Sequence, residues 1–105
     1  MSKPLRVEPE AADELEQAVR WYEERRVGLG SEFLDAVDVT RTLIVRWPHA
    51  GAPVPGVPPD LPVRRAPVHD FPYHIIYLET SAAIRILACA HDRRRPGYWR
   101  SRISH

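Results

Sequence analysis

The sequence predicts an α+β fold, with an N-terminal helical hairpin packed on one face of an antiparallel β-sheet. Two long segments with helical apolar spacing fill the first half, a proline-rich break follows, and three short runs rich in β-branched and aromatic residues fill the second. With 105 residues, 44% of them apolar, the chain suits one domain over 1–105 that is held by packing alone. The single cysteine, Cys89, can form neither an internal disulfide nor a cysteine-based zinc site.

Leu5-Arg6-Val7 alternates as a short strand does, and Pro9 with Glu10 then opens a helix expected over 9–26. Ala11, Leu15, Ala18 and Tyr22 fall on one stripe, with Val19 beside it. Gly28-Leu29-Gly30 offers a C′ glycine and a tight reversal, after which Ser31 is expected to cap a second helix. The stripe of that helix is Phe33, Val37, Thr40, Ile44 and Trp47, widened by Leu34, Leu43 and Val45, and Pro48 ends it. Segment 48–62 holds more than half of the chain's prolines and reads as a surface loop that continues neither helix nor sheet.

Segments 63–68, 71–79 and 82–90 then form a three-stranded meander, broken at His69-Asp70 and Thr80-Ser81. In the last strand Ile84, Ile86, Ala88 and Ala90 share a wholly apolar face expected to meet the helices, while Arg85, Leu87, Cys89 and His91 share the other. The middle strand is apolar on both faces, so its second face needs a cover. Either a partner supplies it, or the C-terminal tail folds back with Tyr98 and Trp99 on the sheet. Which of Arg64 and Arg65 faces that open side stays undecided, because a bulge at Pro67 would flip the parity.

Charge is unevenly placed: residues 1–47 carry seven Lys/Arg against ten Asp/Glu, and residues 48–105 carry eight against four. Most of the excess lies in 91–102, where five arginines and Asp92 surround Tyr98 and Trp99. Arginine is the better fork for phosphate or carboxylate, so an anionic macromolecule is the expected partner. No apolar run reaches the length of a signal peptide core or a membrane span, which points to the cytoplasm, with no membrane partner.

His91 at a strand end, Arg93, Arg94 and Arg95 after it, Tyr98 nearby and Arg64 or Arg65 on a preceding strand are residue types that could surround a phosphate. Cutting RNA internally needs a base for the 2′-hydroxyl, cations for the charge on phosphorus and an acid for the leaving oxygen, roles open to His91, the arginines and Tyr98. His91 closing a strand by a hydrogen bond, with the arginines in a solvated turn, is the simpler assignment. No metal, nucleotide cofactor or small-molecule substrate is indicated: Cys89 and His91 lack a third ligand, and Gly28-Leu29-Gly30 lacks the preceding strand of a dinucleotide site.

Several strings in this order resemble the RelE/ParE superfamily, the toxin halves of type II toxin–antitoxin pairs. They are Ala12, Leu15 and Ala18 with Trp21-Tyr22-Glu23; Gly28-Leu29-Gly30 with Phe33-Leu34 and Ala36-Val37; Trp47-Pro48; Val63-Arg64-Arg65; Phe71-Pro72-Tyr73; and His91 through Trp99. The long first helix, the Trp21-Tyr22-Glu23 string and the near absence of lysine are more similar to ParE-like members than to RelE-like ones. The resemblance implies a growth inhibitor that binds DNA gyrase and is neutralised by a cognate antitoxin, with no hydrolytic site. Arg64, Arg65, Arg93, Arg94, Arg95, Tyr98, Trp99 and Arg100 would be the gripping residues, free at the carboxy end. The RelE-like alternative implies a ribosome-dependent mRNA endonuclease using His91, Arg65 and Tyr98. A non-toxic binding module is the third possibility.

Overall fold

Pro9 and Glu10 open helix α1 (Pro9–Arg25) directly after strand β1 (Leu5–Val7). The structure, a computed structural model, describes residues 3–58 and 60–104, so Pro59 of the proline-rich segment lies outside the described residues. Ala11, Ala18 and Tyr22 are buried along α1, with Leu15 and Val19 packed beside them. The chain reverses at Gly28, whose φ of 90° favours glycine. Helix α2 (Leu29–Arg46) begins before Ser31, which therefore does not cap it. Glu23 of α1 does so instead, accepting hydrogen bonds from the N–H groups of Gly28 (3.0 Å) and Gly30 (3.1 Å). A carboxylate there meets both the free donors and the positive end of the helix dipole.

Phe33, Val37, Thr40 and Ile44 are buried along α2, but Trp47 is 58% exposed. The helix ends at Arg46, so Trp47 leaves the helical path and does not extend the stripe.

Strands β3 (Val63–Pro67), β4 (Tyr73–Glu79) and β5 (Ile84–His91) form the expected antiparallel meander. Strand β1 joins it in parallel beside β5, and β2 (Ala52–Pro53) pairs antiparallel with β3, giving the order β1-β5-β4-β3-β2. The proline-rich segment thus does supply a strand, and its edge position tolerates a proline without an N–H. The Tyr77 hydroxyl anchors that segment by donating to the Pro48 carbonyl (2.8 Å) and accepting from the Gly51 N–H (3.1 Å).

Both helices lie on one face, where Phe33, Val37 and Ile44 meet Ile75, Tyr77, Ile84 and Ile86. The opposite face carries its own apolar cluster of Val63, Ile76, Leu78, Leu87, Ala88, Ala90 and Trp99. Trp99 is 3% exposed, and Tyr98 and Ile103 pack around the same cluster, so the folded-back tail is the cover.

The apolar face predicted for β5 is only half correct. Ile76 pairs with Ala88 but Tyr77 pairs with Ile86, which leaves Leu87 as the extra residue of a β-bulge. Before the bulge Ile84 and Ile86 face the helices; after it Cys89 does, while Ala88 and Ala90 turn to the other side.

Candidate functional site

A bulge strips ladder partners from the backbone beside it, and buried groups so stripped must find others. Here Glu14 of α1 accepts from the Cys89 N–H (3.1 Å), and Arg102 donates to the Leu87 carbonyl (2.9 Å). Glu14 and Arg102 also form a two-pronged ion pair (2.9 and 3.2 Å), and the Tyr98 hydroxyl donates to the second Glu14 oxygen at 2.6 Å. Burial raises the Tyr98 pKa, and its bond to Glu14 raises it further, so the phenol stays protonated. Burial works against the charge of Arg102, but Glu14 outweighs it and the net shift is upward.

Arg85 fixes the other end of the tail. It donates to Glu8 through Nε (2.8 Å) and to the carbonyls of Arg102 (2.8 Å) and Ile103 (3.0 Å), within the short 3-10 helix Arg100–Ser104. Trp99, Arg102 and most of Tyr98 are thus parts of the fold, and Trp99 presents no gripping surface.

Other arginines stay exposed. The β3–β4 register runs unbroken to Pro67, so Arg65 sits opposite Ile76 on the outer face and Arg64 opposite Tyr77 on the helix face. Arg64 is spent on the Gly51 carbonyl (2.8 Å). Arg93, Arg94 and Arg95 occupy an exposed turn, where the Arg94 N–H donates to the His91 carbonyl and the Arg93 N–H donates to His91 Nδ1, both at 3.0 Å. Arg100 is exposed and donates to the Gly56 carbonyl.

These side chains border two depressions. A cleft of about 400 Å³ on the outer face is lined by Arg65, His74, Arg94, Arg95 and Arg100, with Asp92 the single acid in its lining. Asp92 is already occupied, bonded to His74 Nδ1 at 2.7 Å. A neighbouring groove of about 520 Å³, between α1 and the end of β5, is walled by Trp21, Tyr22, Tyr73 and Tyr98. Arg94 lines both, its guanidinium carbon 4.0 Å from the centre of the Tyr98 ring. Cys89 lies in the groove wall, its thiol pushed up to about 12 by burial and by Glu14, so it is no nucleophile near neutrality.

His91, Arg65 and Tyr98 all line the cleft. The Tyr98 hydroxyl is held by Glu14, and the His91 ring packs edge-on against Tyr73 with centroids 5.0 Å apart. Sequence reasoning did not find Glu14, the aromatic groove or the His74–Asp92 pair. Trp21, Tyr22 and Tyr73 were visible as strings, but only the fold sets α1 beside the end of β5. Among the described residues no group of His, Cys, Asp and Glu is placed to hold a metal ion, and no helix is long and apolar enough to cross a membrane.

No family model matches the sequence, and no curated protein matches it. Among solved structures, the fold is similar to that of a chain from the chromosomal ParDE TA system of P. aeruginosa. The likeness has a TM-score of 0.72 at 16% identity and covers 86% of this chain and 96% of that one. The two chains share a fold, which in this chain is two helices on one face of a five-stranded sheet.

Proposed function

We propose that the chain is the ParE-like toxin of a type II toxin–antitoxin pair, a cytoplasmic protein that arrests growth by binding DNA gyrase. The fold it shares with a chain of a ParDE system, over most of both chains, carries this reading. Arg65, Arg93, Arg94, Arg95 and Arg100 are the gripping residues, with the exposed part of Tyr98 between them, while Trp99 and Arg64 support them from within. Guanidinium groups and rings suit a hot spot on an anionic surface. A cognate antitoxin with an acidic segment neutralises the protein by covering these groups, and exposed Val39 and Leu43 on α2, with Trp47 just past its end, give it apolar surface to bury.

The test is a supercoiling assay with purified gyrase, beside induction in cells with plasmid topology and mRNA integrity followed together. Supercoiling stops and mRNA stays intact if the proposal holds; normal supercoiling at excess protein removes it. The His74–Asp92 pair beside Arg65 favours one second reading, a ribosome-dependent mRNA endonuclease whose base is His74, held in one tautomer by Asp92. There, cleavage in a translating extract falls about 100-fold or more in His74→Ala and in Arg65→Ala. Unchanged cleavage in both variants rejects those roles.

A further inference from the structure

We infer that the aromatic groove and the cationic cleft are two halves of one site for single-stranded nucleic acid, with a base in the groove and its phosphate on Arg94 at the shared rim. The groove offers a ring on which a base can stack: Trp21 lines it and is 49% exposed, with Arg25 stacked on one face of its ring at 3.9 Å. At its wall the hydroxyls of Tyr22 and Tyr73 form no hydrogen bond among the described residues. A phenol hydroxyl both donates and accepts, which suits the mixed edge of a base better than the uniform acceptors of a carboxylate. Glu14 is the one acid lining this groove, and Arg102, Tyr98 and the Cys89 N–H already occupy its oxygens. The groove therefore presents little free negative charge to a nucleotide.

On the cleft side, Arg65 and Arg95 take part in no ion pair among the described residues, and Asp92 is held by His74. An unneutralised cluster of this kind tracks a phosphate backbone. Arg94 joins the halves because it lines both, with its guanidinium resting on Tyr98. A duplex keeps its bases stacked and paired and cannot fill the groove. An acidic peptide would satisfy the arginines and leave the rings and the two hydroxyls unused.

The inference stands apart from gyrase binding, and its test uses the purified chain with oligonucleotides alone. A labelled thymidylate oligonucleotide, the same strand with abasic sites and a duplex are compared by fluorescence anisotropy over a range of salt. The single strand binds, and both the abasic strand and the duplex bind more weakly. Trp21→Ala weakens binding about 5- to 150-fold, and Tyr73→Phe weakens it by less. Arg94→Ala lowers the slope of log affinity against log salt by about 0.7. Tyr73→Phe keeps the ring, and the abasic strand leaves the protein unaltered, so both arms remain decisive if Trp21→Ala unfolds. No binding of the single strand, equal affinity for the abasic strand or the duplex, or parental affinity in Tyr73→Phe overturns the inference. Absent oligonucleotide binding beside blocked supercoiling removes this site and leaves the gyrase proposal; the reverse result removes the gyrase proposal alone.

Discussion

The two faces of the sheet are closed by different physics. On the helix face Phe33, Val37 and Ile44 meet Ile75, Tyr77 and Ile84, and the cover is apolar area from two regular helices. On the outer face the cover is a short tail, in which Trp99 supplies area while Arg85–Glu8 and Arg102–Glu14 hold it in place. Hydrophobic area alone can hold a long helix, which has a whole stripe to bury. The tail, residues 98–104, has one fully buried large side chain, Trp99, with Tyr98 and Ile103 partly buried beside it, and its position is fixed by directional, charge-assisted bonds. The C-terminal arginines consequently divide into two classes: Arg85 and Arg102 build the fold, whereas Arg93, Arg94, Arg95 and Arg100 face solvent.

The largest expected effects come from emptying either cover. Trp99→Ala is expected to cost about 3–5 kcal/mol in denaturant unfolding, the same range as Phe33→Ala on the helix face. A much smaller loss for Trp99 would show that the outer face does not depend on its tail. Next is Glu14→Ala, which strands Arg102, the Tyr98 hydroxyl and the Cys89 N–H together, at about 3 kcal/mol. A double-mutant cycle with Arg102→Met separates the pair from its surroundings, and a coupling near zero would reduce it to a surface contact. Tyr98→Phe removes only the bond to Glu14, about 1.5–2 kcal/mol.

Alkali sharpens the contrast from another side. All four tyrosines have pKa values raised first by burial, Tyr73 to about 12. A phenol raised in the folded state favours folding below its unfolded pKa of about 10, and that contribution is lost as pH climbs through the folded value. The melting temperature should therefore hold up to about pH 10 and fall steeply above it, with tyrosinate absorbance appearing together with unfolding. Tyrosinate forming near pH 10 in a chain that is still folded would contradict the burial of these rings. The smallest effect is Arg95→Ala, expected within about 0.5 kcal/mol of the parent because the side chain is exposed and unpaired among the described residues.

What was readable in the sequence follows the same division. Helix stripes, the meander and the doubly apolar middle strand rest on periodicity, and Ala18, Phe33, Ile75 and Ile76 lie where it put them. The bulge at Leu87 was not readable, since nothing in Ile-Arg-Ile-Leu-Ala-Cys-Ala signals one extra residue, and it reversed the faces of Ala88 and Cys89. Ser31 looked like a cap by residue type, but Glu23 reached the helix end first from the neighbouring helix. The Glu14–Arg102 and His74–Asp92 pairs join residues 88 and 18 positions apart, and local pattern cannot see contacts that only the fold creates.

The separation of building arginines from exposed ones is tested most directly by an alanine scan of Arg65, Arg85, Arg93, Arg94, Arg95, Arg100 and Arg102, with stability and gyrase inhibition measured on every variant. Arg85 and Arg102 should lose stability, while Arg65, Arg93, Arg94, Arg95 and Arg100 should lose inhibition at nearly parental stability. Arg85→Ala or Arg102→Ala with a parental melting temperature, or full inhibition with the five exposed arginines removed together, would contradict the account.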